Sequence, residues 1–154
     1  MALVCAPVPG TVVALEDVPD EVFATHMLGP GLAIMPDDVA NLDALAPVAG
    51  SVGSLYPHAA VVLAGGRRDR PVLLHLGLDT VELKGEGFTL HSAMGAQVGV
   101  GDLLVSWSPT EVSTSGRSAV CPVLALGVSA EDVRLIATPG ERIAAGEPLF
   151  DWPE

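Results

Sequence analysis

The sequence predicts an all-β protein, an antiparallel sandwich or barrel interrupted by a few short helical turns. Three observations carry that reading. Glycine (17) and proline (13) punctuate the chain every few residues, and short Val/Leu/Ile runs lie between them. Helix signals are scarce. Two motifs also recur. Ala6-Pro7-Val8-Pro9-Gly10-Thr11-Val12 returns as Ala46-Pro47-Val48-Ala49-Gly50-Ser51-Val52, and Gly95-x-x-Val98-x-x-Gly101-Asp102-x-Leu104 returns as Gly140-x-x-Ile143-x-x-Gly146-Glu147-x-Leu149. Paired repeats in one chain point to internal duplication, with glycines at turns and aliphatic residues in a shared core.

Taken in order, Asp17 to Phe23 reads as a first helical turn, with Asp17 as cap and Pro19 early in the turn. Gly31 to Pro36 is an apolar run and so a strand, and Asp37 to Leu45 an acidic loop. Tyr56 to Ala64 is the next strand, turned by Gly65 to Arg70 back into Pro71 to His75. Val81-Glu82-Leu83 reads as one more strand, closed by Gly85-Glu86-Gly87. Thr110 to Arg117 holds a short helical turn, and Ser129 to Asp132 resembles a capping box with Asp in place of Glu. No linker or low-complexity stretch divides residues 1–154, which suit one domain able to bury a core.

The totals exclude several functions. A net charge of −12 argues against nucleic acid, whose phosphates need a basic surface. It suits a basic protein partner instead, or simply solubility. The uncharged N-terminal run, Met1 to Leu15, is too short and too broken by Pro7, Pro9 and Gly10 to span a bilayer, and it lacks the form of a signal peptide. A cytoplasmic protein without membrane insertion is expected. Cys5 and Cys121 have no metal-ligand spacing and read as small buried hydrophobes.

The chemistry concentrates in Leu73 to Phe88. Val72 to Leu74 is a buried strand, and His75 follows just before Gly77 and Asp79. An imidazole there can be nucleophile, metal ligand or packing group, and Asp79 could orient it. The stretch His75-Leu76-Gly77-Leu78-Asp79-Thr80-Val81-Glu82-Leu83-Lys84-Gly85-Glu86-Gly87-Phe88 resembles the signature of the glucose-type enzyme IIA of the bacterial phosphoenolpyruvate-dependent sugar phosphotransferase system. Ala6 to Gly10, Glu16 to Ala24, Gly29 to Ile34, Ala46 to Val52 and Gln97 to Asp102 are similar to segments of that family in the same order. The resemblance spans nearly the whole chain.

It implies an all-β sandwich of a duplicated hybrid motif with active histidines in a shallow depression. His75 falls at the phosphorylated position and His58, in Tyr56-Pro57-His58-Ala59, at that of the second active histidine. His26 and His91 match neither. The implied activity is phosphotransfer through a phosphohistidine: His75 takes the group from the carrier HPr and passes it to a cysteine of a sugar-specific IIB domain. His58 would donate a hydrogen bond to the phosphoryl group. Val22, Phe23, Leu76, Leu78 and Val81 are candidates for the apolar docking surface, Phe23 foremost, with Asp20 and Asp79 pairing with cations of HPr at its rim. Regulated transporters or enzymes are further conceivable partners. No cofactor is required, although His58 and His75 could share a zinc ion with a partner's carboxylate. The served sugar, among glucose, N-acetylglucosamine and β-glucosides, is set by the IIB and IIC partners.

The chain departs from the family pattern in places. Tyr56 stands where a small hydroxyl residue is expected, Glu21 replaces an apolar residue and Ala60 a larger one, and the turn Gly65 to Arg70 is longer than usual. No segment before Ala2 resembles a membrane-binding tail, so no anchoring is expected. Two rival readings remain. His75-x-x-x-Asp79 also resembles half the zinc set of lysostaphin-type peptidases, but the His-x-His they need is missing. The Gly-x-x-Val-x-x-Gly-Asp-x-Leu repeat occurs in lipoyl-type binding modules, yet Lys84, the only lysine, lies inside the histidine motif. Stated generally, this second rival is a non-catalytic regulatory binding module of the same fold.

Overall fold

Turns built on glycine and proline cut the chain into short extended segments, and hydrogen bonding between distant segments then assembles them. The computed structural model describes residues 2–153. Its strands are β1 (Ala2–Cys5), β2 (Gly10–Ala14), β3 (Gly31–Pro36), β4 (Leu42–Leu45), β5 (Gly50–Tyr56), β6 (Ala59–Ala64), β7 (Pro71–His75), β8 (Thr89–Leu90), β9 (Gln97–Val98), β10 (Leu103–Trp107), β11 (Cys121–Ala125), β12 (Arg134–Leu135), β13 (Arg142–Ile143) and β14 (Pro148–Trp152). The helices are short: α1 (Glu21–Ala24) and α2 (Pro109–Thr114), with 3-10 turns at Leu15–Asp17, Thr80–Leu83 and Ala130–Asp132. An eight-stranded sheet runs β13-β2-β3-β11-β7-β6-β5-β9, beside three-stranded sheets β1-β14-β12 and β4-β10-β8. The ladders are antiparallel, as expected.

The sequence repeats become a repeated set of backbone bonds. The Ala6 N–H donates to the Glu147 carbonyl at 2.8 Å and Ala46 N–H to Asp102 at 2.7 Å. Gly146 and Gly101 N–H groups return to the Ala6 and Ala46 carbonyls, and Gly140 and Gly95 N–H groups each reach Val12 and Val52 at 2.8 Å. The acids of the repeat close their own turns: Asp102 accepts from Gly99 N–H at 2.8 Å and Glu147 from Ala144 N–H at 2.7 Å. Each copy of the first motif thus pairs with one copy of the second, the two terminal segments with each other and the two central segments with each other.

Alternation along the strands divides the interior in two. Val72 and Leu74 of β7, Leu32 and Ile34 of β3, and Val123 of β11 face the main core with Leu104, Leu149, Phe150 and Trp107. Residues one step out of phase, Leu73, Ala33 and Leu124, face the other side and form a smaller cluster with Leu15, Val18, Phe23, Leu78 and Val120. His75 has the parity of Leu73 and so emerges on that second side. Cys5 and Cys121 are free thiols and both buried, as the sequence indicates.

Four local expectations are corrected. Val81-Glu82-Leu83 belongs to a 3-10 turn, because Asp79 and Lys84 at its two ends take left-handed backbone angles (φ 58° and 53°) and bend the chain away from any ladder. Asp17 ends a 3-10 turn, and Asp20 is the true cap of α1, accepting from Val22 N–H at 2.9 Å. The expected acidic loop closes as strand β4, with Leu42 to Leu45 paired to β10. Tyr56 ends β5, and Pro57–His58 form the turn of a β5–β6 hairpin in which Tyr56 pairs with Ala59.

Candidate functional site

His75 is the last residue of β7, and the Cα register pairs it with Ala59 of β6. That ladder runs without a shift from Leu63–Pro71 to Ala59–His75. His58 precedes Ala59, so it sits at the hairpin corner rather than on the strand. Its carbonyl accepts from Leu76 N–H at 2.8 Å, which ties the corner to the residue after His75. The two imidazoles consequently face each other edge to face, with ring centroids 5.4 Å apart and planes at 68°. The sequence expectation that these two histidines lie side by side holds, by a corner instead of two adjacent strands.

The His75 ring is oriented by backbone. Its Nδ1 lies 2.6 Å from the Gly77 carbonyl oxygen. A carbonyl only accepts, so Nδ1 carries the proton and Nε2 keeps its lone pair. Asp79, the orienting group expected from the sequence, acts on His75 through its charge only. Gly77 earns its place by geometry: its φ is +77°, and a Cβ there would lie 2.8 Å from Thr80 Cγ2 and 2.9 Å from the Ser118 carbonyl. The loop around it is pinned by Leu78 N–H to Ser118 at 2.9 Å and by the buried Thr80 hydroxyl to the Leu76 carbonyl at 2.7 Å. A fixed carbonyl therefore meets a fixed imidazole.

Electrostatics favour the neutral rings. Burial pushes the His75 pKa below its ordinary value, against the Gly77 hydrogen bond and the charges of Asp20 and Asp79, which pull it up. His58 is also lowered, by burial first and by the neighbouring His75 second. Both shifts favour the neutral imidazole, which carries one ring proton, over the doubly protonated cation. Phe23 packs its ring edge-on against His75 at 5.5 Å, and Tyr56 stacks beside His58 at 5.9 Å with planes 29° apart.

The expected docking residues divide. Phe23 (6% exposed), Leu76 (1%) and Leu78 (4%) are buried, the first and last in the smaller cluster and Leu76 in the main core. Phe23 is thus a wall of the histidine site and not the leading surface contact, because α1 turns it inward onto the sheet. Val22 and Val81 remain exposed, and Tyr56, which sequence reasoning placed only as a departure, is exposed too, next to His58. Asp20 is half-buried and Asp79 exposed. Among the described residues, His91 is exposed and bonded to Ser106 Oγ at 2.8 Å, and His26 pairs with Glu16 at 3.3 Å. Neither joins the site. No group of three or more His, Cys, Asp or Glu side chains that could hold a metal ion is found among the described residues. No described helix is long and apolar enough to cross a membrane. The backbone carbonyl of Gly77 and the ring of Tyr56 are what sequence reading missed; only the unusual tyrosine left a signal.

Comparison with known proteins places the chain. Residues 2–132 match the family model for the phosphoenolpyruvate-dependent sugar phosphotransferase system, EIIA 1. The chain is 42% identical over 128 residues to a PTS system glucose-specific EIIA component of Halalkalibacterium halodurans, covering 82% of this chain and 71% of that one. It is 37% identical over 132 residues to the PTS system glucosamine-specific EIICBA component of Bacillus subtilis, covering 84% of this chain and 20% of the longer protein. The solved glucose permease IIA from Mycoplasma capricolum superimposes with a TM-score of 0.82 at 33% identity, over 96% of this chain and 93% of that one. With the matching model spanning most of its length and the same β-sandwich in a solved relative, the chain belongs to the EIIA 1 family of the phosphoenolpyruvate-dependent sugar phosphotransferase system, as a phosphocarrier component.

Proposed function

We propose that His75 is the phosphoryl acceptor, loaded by phospho-HPr and discharged to a cysteine of a sugar-specific IIB domain. The observation that carries this reading is the 2.6 Å contact of Nδ1 with the Gly77 carbonyl, which leaves Nε2 as the nucleophilic nitrogen. Nε2 attacks phosphorus in line, the bond from phosphorus to the donor imidazole breaks, and its electron pair returns to that ring. Nδ1 keeps its proton on Gly77 throughout. Phosphoryl transfer asks a protein chiefly for placement and charge stabilisation. The fixed carbonyl supplies the first, and a ring N–H of His58, 5.4 Å away between centroids, supplies the second.

Val22 and Val81 form the apolar contact with HPr and with IIB, and Asp20 and Asp79 pair with cations of HPr at the rim. A IIB partner is supported by relatives whose names join the A component to B and C components, among them the glucosamine-specific EIICBA and β-glucoside-specific EIIBCA proteins. The same imidazole pair offers two ring nitrogens to a shared zinc ion, which a partner's carboxylate would have to complete. The decisive experiment is incubation with phosphoenolpyruvate, enzyme I and HPr, then mapping of acid-labile phosphate. Label on His75, absent from His75→Ala, is the expected result; undiminished label in that variant overturns the assignment.

A further inference from the structure

His75 and His58 are held in different ways. His75 has a backbone acceptor at 2.6 Å. The His58 ring has no hydrogen-bond partner among the described residues, and its neighbours are two rings, His75 on one side and Tyr56 on the other. His58 sits in a two-residue corner, preceded by Pro57, and its only hydrogen bond among the described residues is the main-chain one from Leu76. That bond fixes where the residue is and leaves rotation of its side chain open. Tyr56 ends the preceding strand, pairs with Ala59 across the hairpin and lays its ring at 5.9 Å and 29° to the imidazole. A tyrosine with only two side-chain torsions, on a paired strand end, is a stiff backstop. It is also 56% exposed, an arrangement its own burial does not explain.

We infer that Tyr56 is a positioning residue for His58: its ring, not its hydroxyl, holds the imidazole at the angle from which His58 serves the phosphoryl group. This deepens the phosphocarrier reading and rests on it. A ring that stacks alongside leaves both His58 nitrogens available, one to donate towards the phosphoryl group on His75. Losing the stack lets His58 sample other rotamers and lowers the fraction of encounters in which it is aligned.

The test is single-turnover transfer from phospho-HPr and onward to a IIB domain, with Tyr56→Ala, Tyr56→Phe and His58→Gln alone and in combination. Tyr56→Ala should lower the maximal rate roughly three- to tenfold, the scale of one aromatic pair, with little change in the half-saturating HPr concentration. Tyr56→Phe should restore the rate, and Tyr56→Ala should add no further loss in the His58→Gln background. A raised half-saturating concentration at unchanged maximal rate would make Tyr56 a docking contact only and overturn the inference. So would equal losses with and without His58, or a phenylalanine variant as slow as alanine. Failure of the parent reading looks different: the unaltered protein would then take no label on His75, whatever stands at position 56.

Discussion

At the scale of single residues, the site is a balance of burial against charge on two imidazoles. Folding lowers the pKa of both His75 and His58 below their ordinary value. The unfolded chain therefore binds protons first as pH falls through about 6.5, so this contribution to stability is present above that pH and is lost as pH falls through the folded values. Urea midpoints measured from pH 8 to pH 5 should fall on the acid side, and His58→Gln should flatten part of that decline; an unchanged slope in the variant would refute the lowered His58. The same pair sets transfer. His58→Gln should slow transfer by about a hundredfold, the low end for a lost charge-stabilising hydrogen bond, while leaving binding of HPr near normal. Equal rates in both directions for that variant would remove His58 from the chemistry. His75 and His58 were legible from the sequence through the long motif and its order. The Gly77 carbonyl was not, because every residue has one and only the path of the backbone decides where it points.

At the scale of elements, the loop after β7 and the cap of α1 are the parts that aim His75. Gly77→Ala forces a side chain into a left-handed backbone position already crowded by Thr80 and Ser118. It should cost at least about 1–3 kcal/mol in urea unfolding and slow labelling of His75 as well, since the carbonyl acceptor moves with the loop. A stable variant with a normal labelling rate would mean that this carbonyl does not orient the ring. Asp20 separates two effects cleanly. Asp20→Ala removes the α1 cap, at about 1 kcal/mol, and also a negative charge that raises the His75 pKa. Asp20→Asn keeps a capping oxygen and removes only the charge, so NMR titration should show His75 lowered in both variants while unfolding shows the loss in alanine alone. The strand Gly31–Pro36 was legible as an unbroken apolar run, and so was Pro71–His75. The 3-10 turn at Thr80–Leu83 was not, since Val-Glu-Leu alternates like a strand, and the left-handed angles of Asp79 and Lys84 that divert it are not properties of those residue types.

At the scale of the whole molecule, the terminal and the central repeat segments join one eight-stranded sheet with β11 held between β3 and β7, so exposing β11 requires that sheet to open. Cys121 reports on this. Burial pushes its thiol up to about 12, and it lies in the main core. Alkylation of Cys121 in the native protein should follow the rate or population of unfolding and rise steeply in urea; rapid modification without denaturant would show that the β11 region opens independently. Composition, punctuation and the duplicated motifs were enough to determine an all-β architecture and a shared core, because those depend on residue type and spacing along the chain, and the two histidines were legible only through the resemblance of the long motif to a known family. Which side of the sheet carries His75, the inward turn of Phe23, the 2.6 Å acceptor at Gly77 and the Tyr56 stack on His58 were decided only by tertiary structure. Each depends on ladder register and on backbone angles set by segments far away in sequence, where a single step of one residue reverses what faces the core.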